Sequence, residues 1–321
     1  MTDVEAMGTR LPRSGILLLA LVFGLGGCGR GCDEGRREAP VVAAAVAGDT
    51  GSAWELVYDL EIDGDADLYV ISSVEATPRR LTESPGYDGM GRFTPDGTRI
   101  IFSSERTGDW QLFEIAPGGG EARRMRVNQA TEYQADPSPD GTTLAFLTNL
   151  DGPERLVTMD LASGALRELV RHGNRTIFGN PSWSPDGGQI AFSSNWRIGH
   201  QVYVIDLGTE EVSRISDLTS GGCEPRFMPD GRVCWVDRGH LGGSRSHLVA
   251  LDLETGEDEV LVDWPALNYD PAFSPDGTEI AFASNITGEY AIYRQRLADG
   301  QAWRVTFDPG SARYPDYRPA P

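Results

Sequence analysis

Residues 270–306 read DPAFSPDGTEIAFASNITGEYAIYRQRLADGQAWRVT. The stretch breaks into four short apolar, β-branched or aromatic runs separated by turn residues, which predicts strands over 271–274, 280–284, 291–294 and 303–306. The first two flank Ser274-Pro275-Asp276-Gly277. Proline presets φ at the first central position, aspartate bonds back to its own backbone, and glycine takes the left-handed conformation that closes a hairpin with a bulge.

The same turn stands at Thr94-Pro95-Asp96-Gly97, Ser138-Pro139-Asp140-Gly141, Ser184-Pro185-Asp186-Gly187 and Met228-Pro229-Asp230-Gly231, with a degenerate copy at Tyr317-Arg318-Pro319. The prolines lie 44, 46, 44, 46 and 44 residues apart. A fixed period in the forties marks a chain built from copies of one small sheet that buries its faces only against its neighbours. The second run recurs as Ile100-Ile101-Phe102, Leu144-Ala145-Phe146, Ile190-Ala191-Phe192 and Val233-Cys234-Trp235, apolar on both faces as a sandwiched sheet requires. The first copy opens at Trp54-Glu55-Leu56-Val57-Tyr58, which aligns with a second strand. Residues 314–319 have the spacing of an innermost strand. These partial copies complement one another, so the expected fold is all-β: a six-bladed β-propeller of four-stranded antiparallel blades, its ring closed by the C-terminal strand joining the first blade.

The chain has 321 residues, 48 acidic against 28 basic, for a net charge of −20, and all its basic residues are arginine. Without lysine there is no Schiff-base chemistry, and with this charge and no basic stripe the sequence argues against nucleic-acid binding. Arg10 and Arg13 precede an apolar run over 16–25 that is too short to span a bilayer and is laid out as an export signal. Leu25-Gly26-Gly27-Cys28 follows and resembles a bacterial lipoprotein cleavage box, which makes Cys28 the lipidation site. The organisation expected is a signal peptide over 1–27, a flexible tether over 28–52 and a monomeric propeller over 53–321, anchored through its lipid in the bacterial cell envelope and facing the periplasm or the surface. Of the remaining cysteines, hairpin register sets Cys234 opposite Arg226 rather than Cys223, and their redox state stays open.

In a propeller, the loops entering each innermost strand and those joining the second and third strands share one face, around the channel mouth. The residues expected to open the innermost strands are Met90, Gln134, Asn180, Glu224, Asp270 and Tyr314, the candidate binding positions. Glu224 and Asp270, with the amides beside them, either hold a hard cation such as calcium or only solvate a water-filled channel. His172, His200, His240 and His247 map to the same face, as weaker candidates for a metal or acid–base site. Trp110, Trp196 and Tyr290 are either a recognition surface or rim packing, and Asn149, Asn195 and Asn285 read as turn residues.

The segments PSWSPDGGQIAFSSN (181–195) and PAFSPDGTEIAFASN (271–285) resemble the repeat of TolB-type six-bladed propellers, a repeat shared with the propellers of prolyl-oligopeptidase-like peptidases. The resemblance runs from about residue 54 onward and is specific for fold more than for function. It implies a non-enzymatic periplasmic protein whose propeller face binds an envelope protein or a peptidoglycan-associated partner, with no cofactor. This sequence departs from the pattern in having only a short tether before the blades and its own lipidation box. No G-x-S-x-G elbow and no room for a hydrolase domain are found. The enzyme alternative is a metal-dependent polysaccharide lyase resembling the oligogalacturonate lyases, which gather metal-binding histidines in the mouth.

Overall fold

The computed structural model describes residues 43–44, 53–73, 77–126, 128–173, 175–196, 199–217, 220–239 and 244–320. The expected signal peptide, lipidation site Cys28 and tether lie outside these residues, except Ala43–Ala44, which pairs in parallel with Trp303 and Arg304. Among the described residues no helix is long and apolar enough to cross a membrane.

Six antiparallel sheets each carry four strands of the repeat. In the sixth blade these are Asn268–Phe273, Glu279–Ser284, Ala291–Arg296 and Ala302–Arg304, three residues earlier at the start than the sequence suggests. The first blade is assembled from both ends of the propeller: Ser311–Tyr317 pairs with Glu55–Ile62, placing Tyr317 opposite Leu56 and Arg313 opposite Asp59. Arg318 donates to the Glu55 carboxylate across a separation of 263 residues. The ring is closed as expected, with six blades.

No single core exists. The buried apolar residues form six clusters, one between each pair of neighbouring blades, such as Val57, Leu68, Phe93 and Phe102 between the first and second. Cys234 fills a small-residue slot between the fifth and sixth blades opposite Arg226, and both it and Cys223 are free thiols.

The Pro-Asp-Gly turns follow their predicted chemistry. Asp140 accepts from Ser138 Oγ at 2.6 Å and from Thr142 N at 3.0 Å, and the same pair of bonds recurs at Asp96, Asp186 and Asp276. Those hydrogen bonds, the hydroxyl bond first, hold these carboxyls below the usual range. Asn149, Asn195 and Asn285 do more than form a turn. Each side-chain oxygen accepts from the backbone N of the residue 18 positions earlier (Thr131, Ile177, Leu267), pinning the loop that enters the blade's innermost strand.

Candidate functional site

Every innermost strand carries one bulge, where three of its residues span two on the second strand. The first bulged residue is the candidate binding position in all six blades: Met90, Gln134, Asn180, Glu224, Asp270 and Tyr314, with φ between 49° and 55°. These residues do not open their strands, as the sequence suggested. They interrupt them one to three residues in, because a left-handed residue leaves the ladder and pairing then resumes. The second bulged residue is proline in four blades, Pro181, Pro225, Pro271 and Pro315, where a ladder donor is not needed.

In five of the six blades the backbone N–H freed by the bulge turns to the preceding blade. Asn180 N donates to Gln134 Oε1 at 2.9 Å, Asp270 N to Glu224 Oε2 at 2.8 Å, and Tyr314 N to Asp270 Oδ2 at 3.3 Å. Met90 N and Gln134 N donate likewise to Asp59 and Ser103. Gln134, Glu224 and Asp270 therefore staple blade to blade around the mouth. The structure brings the predicted positions together as a ring with this structural task.

Arg313 sits on that ring, a residue the sequence reading missed. Its guanidinium pairs with Asp270 through Nε and Nη2 and reaches Glu224 Oε1 at 3.4 Å, while three rings face its carbon: Tyr290 at 4.9 Å, Tyr269 at 5.1 Å and Tyr314 at 5.1 Å. The chain's own arginine thus stands where a bound cation was considered. Among the described residues no group of three or more histidine, cysteine, aspartate or glutamate side chains is placed to hold a metal ion.

A second ring lies two residues further along the innermost strands: Arg92, Asp136, Ser182, Arg226, Ala272 and Asp316. Arg226 bridges Asp136 at 2.7 Å and Asp316 at 2.6 Å, and Arg92 stands looser, 3.8 Å from Asp136 and 4.0 Å from Asp316. The remaining carboxylate oxygens accept from Trp183 N and Phe93 N. Burial works against the charge of Arg226, but Asp136 and Asp316 overcome it, whereas burial and then Arg226 lower the pKa of Arg92. This lattice crosses the axis and floors a cavity of about 300 Å³ on the Pro-Asp-Gly face, rimmed by Pro95, Pro139, Pro185, Pro229 and Pro319. The signal for it was a charged residue two positions after four of the six ring residues, Met90, Gln134, Glu224 and Tyr314, within otherwise buried strands.

The three described histidines do not converge. His172 bonds Thr176 Oγ1 at 2.9 Å and packs on Trp196, His247 pairs with Asp263 at 2.9 Å, His200 is exposed, and His240 lies outside the described residues. On the opposite side of the mouth, Trp110 packs against Tyr87 and Tyr133, whose hydroxyls donate to Asp59 and Glu154.

Asp59 is 2% exposed; burial chiefly, with Asp270 adding, pushes its pKa up to about 8 against the hydrogen bond from Tyr87. Burial and then the neighbouring Asp270 raise Glu224, with Arg313 opposing. Between the unfolded carboxyl pKa and about 8 the folded state holds the extra proton on Asp59, so stability falls as pH rises through that window. The slope is at most about 1.4 kcal/mol per pH unit for one such group. We expect denaturation midpoints to drop from pH 5 to pH 8.5 and the drop to shrink in Asp59→Asn; an unchanged slope in that variant would show the proton is held elsewhere.

The TolB beta propeller domain family matches residues 48–176. The Tol-Pal system protein TolB of Nitratidesulfovibrio vulgaris is 31% identical over 109 residues, covering 34% of this chain and 24% of that protein. The uncharacterized peptidase YuxL of Bacillus subtilis is 28% identical over 144 residues, 34% of this chain and 22% of the relative. The chain thus spans about a quarter of the length of these curated relatives. The crystal structure of TolB from Acinetobacter baumannii superposes with a TM-score of 0.72 at 20% identity, covering 83% of this chain and 67% of that one. Repeat, closed ring and these likenesses together show a six-bladed β-propeller with the fold seen in TolB, matched over residues 48–176 by the TolB beta propeller domain family.

Proposed function

We propose that this propeller is a non-enzymatic binding protein of the bacterial envelope, lipid-anchored at Cys28, that docks a protein partner on its mouth face. One observation carries the reading. Of the five large apolar side chains more than a third exposed among the described residues, Ile62, Ile177 and Phe307 stand on mouth-face loops, beside the half-buried Trp110, Tyr87, Tyr133 and Tyr290. Exposed apolar groups among aromatics with polar tips make the kind of surface that protein partners cover. The dispersed histidines and the arginine-paired carboxylates support binding over the lyase alternative, which needs a gathered metal site. A partner attached to the cell wall is the finer form of the same proposal.

A photo-crosslinking amino acid at Ile177 or Phe307 is expected to give one discrete protein adduct in intact envelopes. Leu161, exposed on the opposite face, is the control and should give none. Equal adducts from both faces, or turnover of acidic polysaccharide by the purified protein, would remove this reading.

A further inference from the structure

We propose that the docking element of the partner presents a basic side chain, an arginine guanidinium or a lysine ammonium, to the aromatic shelf formed by Tyr87, Trp110 and Tyr133. This deepens the partner-binding reading and rests on it.

The mouth already shows how it holds such a group. Arg313 lies against Tyr269, Tyr290 and Tyr314 with the carboxylates of Asp270 and Glu224 at its nitrogens. Tyr290 directly precedes the third strand of the sixth blade and reaches forward to Arg313, the residue before the left-handed position of the next blade. Trp110 occupies the same place before the third strand of the second blade, Gln111–Ile115. It reaches forward to Tyr133, again the residue before the left-handed position of its next blade. The shelf is therefore the clamp repeated, with tyrosine where the clamp has its arginine.

What the shelf keeps is the aromatic half of the arrangement. Trp110 stands 5.3 Å from Tyr87 and 6.3 Å from Tyr133, ring centre to ring centre. The Tyr133 hydroxyl donates to the Glu154 carboxylate, which has no ion pair among the described residues, and the Tyr87 hydroxyl donates to Asp59, which keeps its own proton up to about pH 8. A phenol donating to a carboxylate gains electron density in its ring, which strengthens attraction for a cation over its face, and tryptophan is the best such face. The neighbouring arginines are engaged elsewhere: Arg106 pairs with Asp88 at 2.7 Å and lies over Phe113, and Arg126 pairs with Glu132 at 3.1 Å. Because the carboxylates are covered by phenols and backbone N–H groups, the accessible wall is aromatic. That suits an organic cation better than a metal ion, which needs bare oxygen ligands. The net charge of −20 adds a long-range pull of the same sign.

The test uses the full chain in detergent and three blocked tripeptides: Ala-Arg-Ala, its citrulline analogue of the same shape without charge, and Ala-Glu-Ala. Binding is read by saturation-transfer NMR. The arginine peptide is expected to bind saturably, the citrulline peptide at least about tenfold more weakly, and the glutamate peptide not at all. Trp110→Leu should weaken the arginine peptide about tenfold, while Trp110→Phe stays within about threefold and Glu154→Gln falls between them. Thermal melts of each variant establish that it is folded. Equal binding of arginine and citrulline peptides, or a folded Trp110→Leu that binds like wild type, overturns the inference. Should the mouth-face adduct form regardless of Trp110→Leu and of excess arginine peptide, this inference falls while the partner reading stands. If the arginine peptide binds and no mouth-face adduct forms, the partner reading falls alone.

Discussion

Ending the chain after Gly310 is expected to abolish cooperative folding. The lost strand, Ser311–Tyr317, buries Ala312, Tyr314 and Tyr317 and covers Leu56 and Tyr58, both fully buried in the intact ring. At roughly 2 kcal/mol for each large side chain re-exposed, the loss approaches 10 kcal/mol, an upper figure because unfolded chains are partly compact. That is the size of a whole domain's stability, about 5–15 kcal/mol. The truncation also removes Arg313 from the mouth and Asp316 from the axial lattice, and it bares the edge of Glu55–Ile62 to other chains. Far-UV circular dichroism should show no sigmoidal melt, and the protein should aggregate. Adding a peptide of residues 309–321 in trans should restore part of the transition by strand addition. A truncated chain melting within a few degrees of the intact one would mean the joint contributes little.

The second large effect is expected at the axis. Arg226→Met leaves Asp136 and Asp316, both nearly fully buried, facing one another without their bridging cation, and Arg92 stands too far from either to replace it. Removing one partner of a buried ion pair costs about 3–5 kcal/mol, because the carboxylates that stay behind have lost water and gained nothing. For a ring of this size the midpoint should fall by about 10 °C. Neutralising the whole lattice, as Arg226→Met and Arg92→Met with Asp136→Asn and Asp316→Asn, should recover much of the loss, since amides still accept from Trp183 N and Phe93 N and no buried charge is left unpaired. If the single variant loses less than about 1 kcal/mol in a denaturant titration, the lattice is a filler of the channel and not a support of it.

The sequence carried the fold because its information is repeated. Pro-Asp-Gly recurs with a period that only stacked sheets explain, and the complementary partial copies around Trp54 and Tyr314 foretold the joint at Leu56 and Tyr317. The mouth ring was also legible, since Met90, Gln134, Asn180, Glu224, Asp270 and Tyr314 sit at one phase of the repeat. What those residues do was not legible. Their left-handed backbone frees an N–H that, in five blades, the preceding blade captures, and bonds between residues 31 to 46 positions apart leave no local pattern. Arg313 and Arg226 were missed for a related reason. Neither phase carries one residue type, Gly89, Tyr133, Gly179, Cys223 and Tyr269 standing with Arg313, and Arg92, Asp136, Ser182, Ala272 and Asp316 with Arg226, and a search for likeness passes over a position that varies.

The joint between Ser311–Tyr317 and Glu55–Ile62 also sets a timetable. Five blades can pair strand to strand as the polypeptide emerges, each from residues close in sequence, yet the first blade waits for its innermost strand to come back across the whole wheel. Until those seven residues are delivered, the nascent molecule is an unlatched ribbon with two open flanks, threadable through a pore and recognisable to a chaperone. Arrival of that strand, rather than any shorter length of chain, is the event that snaps it shut.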